Sequence, residues 1–232
     1  MKHPLGELSG GGDLSPTQLA QLAAVLGVLE QDEHAPTAVR EAEQAVSIHL
    51  ADSLAALELD AIRRAGTLAD LGAGAGFPGL ALAVALPGAR VSLVESQRRK
   101  CEFLERLCAQ AEIENVRVVC ARAEHWREGL SSNDAVLARA LAAQAVVLEY
   151  AAPLLALGGS LVDWRGKRVP AEEDASGRAA EVLGLELQEI RRVEPFEGAT
   201  DRHLHVFLKV RETPERFPRR AGIARKRPLG FT

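Results

Sequence analysis

A chain of 232 residues, 47% hydrophobic and 26% charged, has the composition of a soluble globular protein with one full core, and no run approaches the roughly 18 apolar residues of a membrane span. The opening MKHPLGELSGGG lacks the apolar segment of a secretory signal, and Cys101, Cys108 and Cys120 have no C-x-x-C spacing, which argues against a disulfide frame or a zinc site and for a cytoplasmic protein. The net charge of −4 divides unevenly, because residues 211–232 hold seven Lys/Arg against two Glu, a net +5, which leaves −9 on residues 1–210.

Residues 1–13 are glycine-rich and expected to fray. Ser15-Pro16 reads as a helix cap followed by proline at the first helical position, and Leu19, Leu22, Ala23, Leu26 and Leu29 recur at helical spacing to about Glu30. After a loop, Val46, Leu50, Leu54 and Leu57 form the apolar side of a second helical pattern, so residues 1–62 read as a helical extension. From Thr67 the pattern predicts strands at 67–71, 90–95, 116–120, 133–138, 159–164, 187–193 and 203–210. The intervening helices fall at about 78–86, 98–112, 141–156 and 172–184. Strands alternating with helices imply an α/β fold, a mostly parallel sheet covered on both faces over residues 63–210. The short loop before the last strand permits only an antiparallel pair there. Residues 211–232 form a basic tail interleaved with Pro214, Pro218, Pro228, Phe217 and Phe231, a segment suited to lie along a polyanion and order on binding.

The loop after the first strand carries two overlapping signatures, Asp70-x-Gly72-x-Gly74-x-Gly76 and Gly74-x-Gly76-x-x-Gly79. In such sheets the ligand sits beyond the carboxyl ends of the strands, and glycines there allow a sharp turn and close approach to the backbone. Glu95, ending the second strand, suits a ribose hydroxyl pair for either a methyl donor or a dinucleotide. Asp70 at the strand end favours the methyl donor, since a carboxylate repels a diphosphate but tolerates the amino group and sulfonium of S-adenosylmethionine. A dinucleotide-dependent oxidoreductase and a ligand-free structural loop remain the alternatives.

Further along, Ala123 and Glu124 follow the third strand and reach the same carboxyl edge, where Glu124 can accept from an adenine amino group or stand as a solvated carboxylate. Arg139 ends the fourth strand on the ligand side, with an ion pair to Asp70 or Asp134 as its structural alternative. No His/Cys/carboxylate cluster has metal-ligand spacing.

The segments DLGAGAGFPG, ARAE, LARA, TDRHLHVFLK and TPERFPRRAGIARKRPLG resemble, in order and spacing, the RsmG family, also called GidB, over about nine-tenths of the chain. The resemblance implies a Rossmann-like class I methyltransferase with a seven-stranded mostly parallel sheet, an N-terminal helical addition and a basic tail. The implied reaction transfers a methyl group from S-adenosyl-L-methionine to guanine N7 at position 527 in the 530 loop of 16S rRNA, in the small ribosomal subunit or its precursor, with no obligate protein partner. It assigns donor contacts to Gly72, Gly74, Phe77, Ala123, Glu124 and Arg139, with Glu95 in the ribose position; Asp70, from its place at the strand end, joins them as a donor-site candidate.

HLADSLAAL matches the family's H-x-x-D-S segment. His49, Asp52 and Ser53 share a helical face and, with Arg165, become acceptor-side candidates, although a histidine in an amphipathic helix is first a hydrogen-bonded structural residue. Arg139, Arg165 and Lys167 would form a positive rim for RNA, extended by Arg216, Arg219, Arg220, Arg225, Lys226 and Arg227. Three features depart from the family pattern: Ala35-Pro36-Thr37 stands for Asn-Leu-Thr, Gln31 and Asp32 precede it where the family often has Trp and Asn, and Arg165 stands for a lysine before Gly166. They suggest a donor-binding protein with a lost or altered acceptor as a further alternative.

Overall fold

The computed structural model describes residues 14–33, 35–37, 39 and 42–230. The expected fraying of residues 1–13 and the role of Phe231 lie outside them. Helix α1 (Pro16–Gln31) starts with a reciprocal cap: Gln18 N–H donates to Ser15 Oγ, and Ser15 N–H donates to Gln18 Oε1. The second helical pattern is broken into α2 (Ala42–Ala45), a widened π turn (Val46–Ala51), α3 (Asp52–Leu54), a 3-10 turn (Ala55–Glu58) and α4 (Asp60–Arg63).

Seven strands follow, β1 (Thr67–Leu71), β2 (Arg90–Glu95), β3 (Val116–Cys120), β4 (Asn133–Arg139), β5 (Leu155–Arg165), β6 (Leu185–Arg192) and β7 (His203–Lys209). They form one sheet in the order β3-β2-β1-β4-β5-β7-β6. Strands β1 to β5 are parallel, while β7 runs antiparallel to both β5 and β6, as the short connecting loop requires. Between them lie α5 (Gly79–Ala85), α6 (Arg98–Gln110), α7 (Gln144–Ala151) and α8 (Pro170–Leu183). The order reverses between β1 and β4, which opens the ligand crevice at their carboxyl ends.

Strand alternation divides the core. Leu68, Leu93, Leu137 and Val162 face one side, where Leu22, Val25 and Leu29 of α1 join Leu80 and Leu104 in a single cluster. The N-terminal helices therefore complete the sheet's own cover, and Gln18 Nε2 donates to the Val84 carbonyl of α5 at 2.8 Å. Leu71, Val94, Val136 and Leu161 face the other side against α7 and α8.

The tail differs from the expectation of a segment that orders only on RNA. It folds back as a strap ending in the short helix α9 (Ile223–Lys226), with Phe217 and Ala224 buried in the second core. Two buried apolar anchors in a basic segment suffice to hold it. No helix among the described residues is long and apolar enough to cross a membrane.

Candidate active site

The glycine loop turns directly off β1. Gly72 has φ +71, and its N–H donates to the Val94 carbonyl at 2.8 Å, which carries the chain across the end of β2. A Cβ at Gly72 would lie 2.6 Å from the Leu141 Cδ1 methyl, which would have to move aside, and the left-handed backbone here is one that L side chains rarely adopt. Glu95, 4% exposed, stands opposite: Oε2 accepts from Gly74 N at 3.2 Å, and Oε1 accepts from Ser96 N and Gln97 N at 2.7 and 2.8 Å. One carboxylate thus fixes both the glycine loop and the turn after β2.

Asp70 has a different place from the one expected of a donor contact. It is 1% exposed, beneath the loop, and accepts from Gly79 N at 2.8 Å at the start of α5. Burial pushes its pKa up to about 6, against the lowering effect of the Gly79 bond. Gly79 is required by this packing, since a Cβ there would meet Leu93 at 2.5 Å and Asp70 Oδ2 at 2.8 Å. Asp70 braces the loop from below.

On the third-strand side, Ala123 and Glu124 lie in a 3-10 turn (Ala123–His125), and with Gly72, Val94, Leu141 and Arg225 they line a cleft at the carboxyl edge. Glu124 Oε1 accepts from Gly222 N of the strap at 3.3 Å.

On the fourth-strand side the H-x-x-D-S face packs onto the site. Arg139 Nη1 donates to Asp52 Oδ2 at 2.9 Å and to the Ile48 carbonyl at 3.1 Å, with Ser53 Oγ at 3.5 Å. His49 stacks on Phe77 with ring centroids 4.7 Å apart and 4° between planes, and Arg139 lies 5.9 Å from the Phe77 centroid. Burial, then the Arg139 charge, lowers the His49 pKa to about 4. The ring is therefore neutral near pH 7, and its Nε2 meets Thr37 Oγ1 at 2.9 Å. Thr37, the last residue of the departing Ala35-Pro36-Thr37 segment, touches the site through this contact.

The widened turn makes this arrangement possible, because π turns re-aim successive side chains. Ser53 Oγ donates back to the His49 carbonyl. Arg139 is thus an internal tie to Asp52, and neither Asp70 nor Asp134 is its partner; Asp134 instead accepts from the Gly66 and Thr67 amides. A guanidinium committed in this way is not the free rim cation expected of an RNA contact. Arg219 is committed likewise, its Nε donating to buried Glu149 Oε1 at 2.8 Å.

Arg165 is partly buried and donates to the Ala142 carbonyl at 2.9 Å, while Lys167 is exposed. Arg216, Arg220, Arg225, Lys226 and Arg227 present exposed residues along the strap.

Two features escaped the sequence reading. Arg202, immediately before β7, puts Nε 3.9 Å from Asp52 Oδ1, and both buried atoms lack a hydrogen-bond partner among the described residues. Its signal lay in the TDRHLHVFLK segment, which marks the family without marking a contact. The second feature is a buried cluster in which Gln144 Nε2 reaches Asp163 Oδ2 at 3.2 Å and His205 Nδ1 at 2.9 Å.

Burial pushes Asp163 up to about 7, against the lowering effects of Arg165 and Gln144. Between its ordinary value of 3.8 and about 7 the folded protein keeps a proton that the unfolded chain releases, so this group's contribution to stability declines as pH rises through that window. Asp163→Asn should therefore gain stability relative to wild type, by on the order of a few kcal/mol, between about pH 4 and pH 7. Urea unfolding across that range measures it, and a pH-independent difference would refute the assignment.

The sequence model of the GidB family, described as rRNA small subunit methyltransferase G, matches residues 17–204. The chain is 41% identical over 196 residues to a ribosomal RNA small subunit methyltransferase G of Rubrobacter xylanophilus, covering 82% of this chain and 75% of the relative. It is 38% identical over 224 residues to the protein of the same name from Chloroflexus aggregans, covering 94% and 93%. Among solved structures, a mutant of MtNAS in complex with S-adenosylmethionine superposes with a TM-score of 0.56 at 15% identity, over 84% of this chain and 73% of that one. At that identity the likeness establishes the fold.

Proposed function

We propose, given that this chain belongs to the GidB family of rRNA small subunit methyltransferase G proteins, that it is an rRNA methyltransferase using S-adenosylmethionine, with guanine N7 in the 530 loop of 16S rRNA as acceptor and the cytoplasm as its place of action. The observation that carries this reading is Glu95, a buried carboxylate aimed at a glycine loop whose exposed backbone leaves room for a ligand. A Cβ at Gly74 would meet nothing nearer than the Gly72 carbonyl at 3.6 Å.

The residues present fit the donor. Glu95 suits the ribose hydroxyls, the Gly72–Gly74 backbone suits close approach of the amino-acid moiety, and Glu124 is a carboxylate able to accept from an adenine amino group. When bound, S-adenosylmethionine supplies an electrophilic methyl on sulfonium. The work left to the protein is alignment and the exclusion of water. Guanine N7 offers an unprotonated lone pair, so no general base is needed, and neutral His49 is stacked as a support for Phe77.

The acceptor would enter beside Phe77 and the Asp52–Arg139 pair, with Arg165 and Arg202 flanking. Exposed Lys167, Arg216, Arg220, Arg225, Lys226 and Arg227 are among the cations that phosphates could reach. Replacing Arg220, Lys226 and Arg227 together by alanine should flatten the slope of log affinity against log salt by about 2, at about 0.7 per phosphate contact on a single strand. Binding of 16S rRNA fragments across a salt series measures the slope, and an unaltered one removes the strap from the RNA interface.

Labelled S-adenosylmethionine incubated with small ribosomal subunits lacking the modification tests the function. Incorporation into the rRNA is expected. Donor binding without incorporation would instead favour a protein with a lost or altered acceptor.

A further inference from the structure

We propose that the carboxy-terminal strap is a wall of the donor pocket and positions it, with Arg225 as the residue that ties the strap to the glycine turn. The inference rests on the donor reading of the cleft and goes beyond it, because the strap has so far served only as a source of surface cations.

The strap is anchored at both ends. At its start Phe217 is buried, and Arg219 is paired with Glu149, itself 1% exposed. At its far end Arg178 donates twice to the Gly230 carbonyl, at 3.0 and 2.7 Å. Gly230 lies so close to α8 that a Cβ there would fall 2.0 Å from the Ala175 carbonyl oxygen. Only glycine permits this closure.

Between the anchors the chain crosses the cleft, and two contacts reach its working parts. Gly222 N–H donates to Glu124 Oε1 at 3.3 Å. A carboxylate accepts several hydrogen bonds, so this one orients Glu124 without consuming its capacity for a donor amino group. Arg225 Nη2 donates to the Leu141 carbonyl at 3.1 Å, and the Leu141 side chain packs over Gly72. Arg225 is thus a positioning residue. It holds the loop after β4 against the glycine turn while its own side chain lines the cleft.

The same short segment carries Arg220, Lys226 and Arg227 on its exposed side.

The test is calorimetric titration of S-adenosylhomocysteine into the full chain, as wild type, Arg225→Ala and Arg225→Lys, with thermal unfolding as the check on folding. Arg225→Ala should weaken binding about tenfold with its melting temperature nearly unaltered, in line with losing a hydrogen bond from a charged group. Arg225→Lys should recover most of the loss. Equal affinity in wild type and a folded Arg225→Ala would overturn the inference.

Hydrogen exchange on the wild type keeps the question open to test even if the variant fails to fold. The amides of Gly222, Lys226 and Arg227 should exchange several-fold more slowly with S-adenosylhomocysteine bound. Unaltered exchange at saturation overturns the inference alone, whereas a wild type that binds no S-adenosylhomocysteine sinks the donor reading and the inference with it.

Discussion

Arg139→Ala is expected to cost about 3–5 kcal/mol of stability and to weaken donor binding with it. The Arg139 and Asp52 side chains are 17% and 9% exposed and meet at 2.9 Å, so removing the cation strands a carboxylate in a site that water hardly reaches. Arg202 cannot take over from where it stands, because its Nε is 3.9 Å from the other Asp52 oxygen, beyond hydrogen-bond reach. The same substitution frees the Ile48 carbonyl and loosens the π turn that carries His49, the ring stacked on Phe77 of the glycine loop. Stability and donor affinity should fall together for that reason. Replacing both partners by apolar residues of similar size, Asp52→Leu with Arg139→Met, should recover part of the stability, since the buried pair is gone while Arg202 loses its ion pair to Asp52. Urea unfolding measures both. A single variant within about 1 kcal/mol of wild type would mean the pair is solvated.

Glu95→Ala should weaken S-adenosylhomocysteine binding by about 100-fold or more. The carboxylate accepts from three backbone amides, Gly74, Ser96 and Gln97, and hydrogen bonds to an ionised acceptor contribute about 1.5–3 kcal/mol each. Alanine leaves those amides short of an acceptor, releases the glycine loop from the β2 end and removes the partner of the ribose hydroxyls. Glu95→Gln keeps one acceptor oxygen and places an NH₂ where the other amides donate, so its loss should fall between the two. Calorimetry decides it, and an affinity within twofold of wild type for Glu95→Ala would remove Glu95 from the donor site.

What could be read from the chain follows the range of the interactions involved. The β1 turn was legible because Gly72, Gly74 and Glu95 satisfy local backbone and strand-end requirements, visible at short spacing. The sheet's alternation was legible for the same reason, although β5 begins at Leu155 and not at 159, since its first residues pair with β4 across a register shift at Asn133/Ala135.

The partners across the fold were not legible. Asp52 and Arg139 are 87 positions apart, and nothing in either segment favours Asp52 over Asp70 or Asp134 until α3 is packed on the sheet. Gln144, Asp163 and His205 meet only because β7 inserts beside β5. The tail's charge suggested a loose RNA arm, but Phe217, Ala224 and Gly230 anchor it, and three small contacts in a basic segment leave little trace in composition. Asp70 was misplaced because a carboxylate at a strand end looks the same in sequence whether it faces the ligand or the helix amide beneath.

Mapping the transferred methyl group tests the proposed reaction at its product. After reaction with S-adenosylmethionine and small subunits lacking the modification, the rRNA is digested and its nucleosides and fragments are identified by mass spectrometry. A single methyl group on guanine N7 within the 530 loop is expected, absent when Glu95→Ala replaces the wild type. Methylation at another atom or another region of the rRNA would contradict the proposed acceptor.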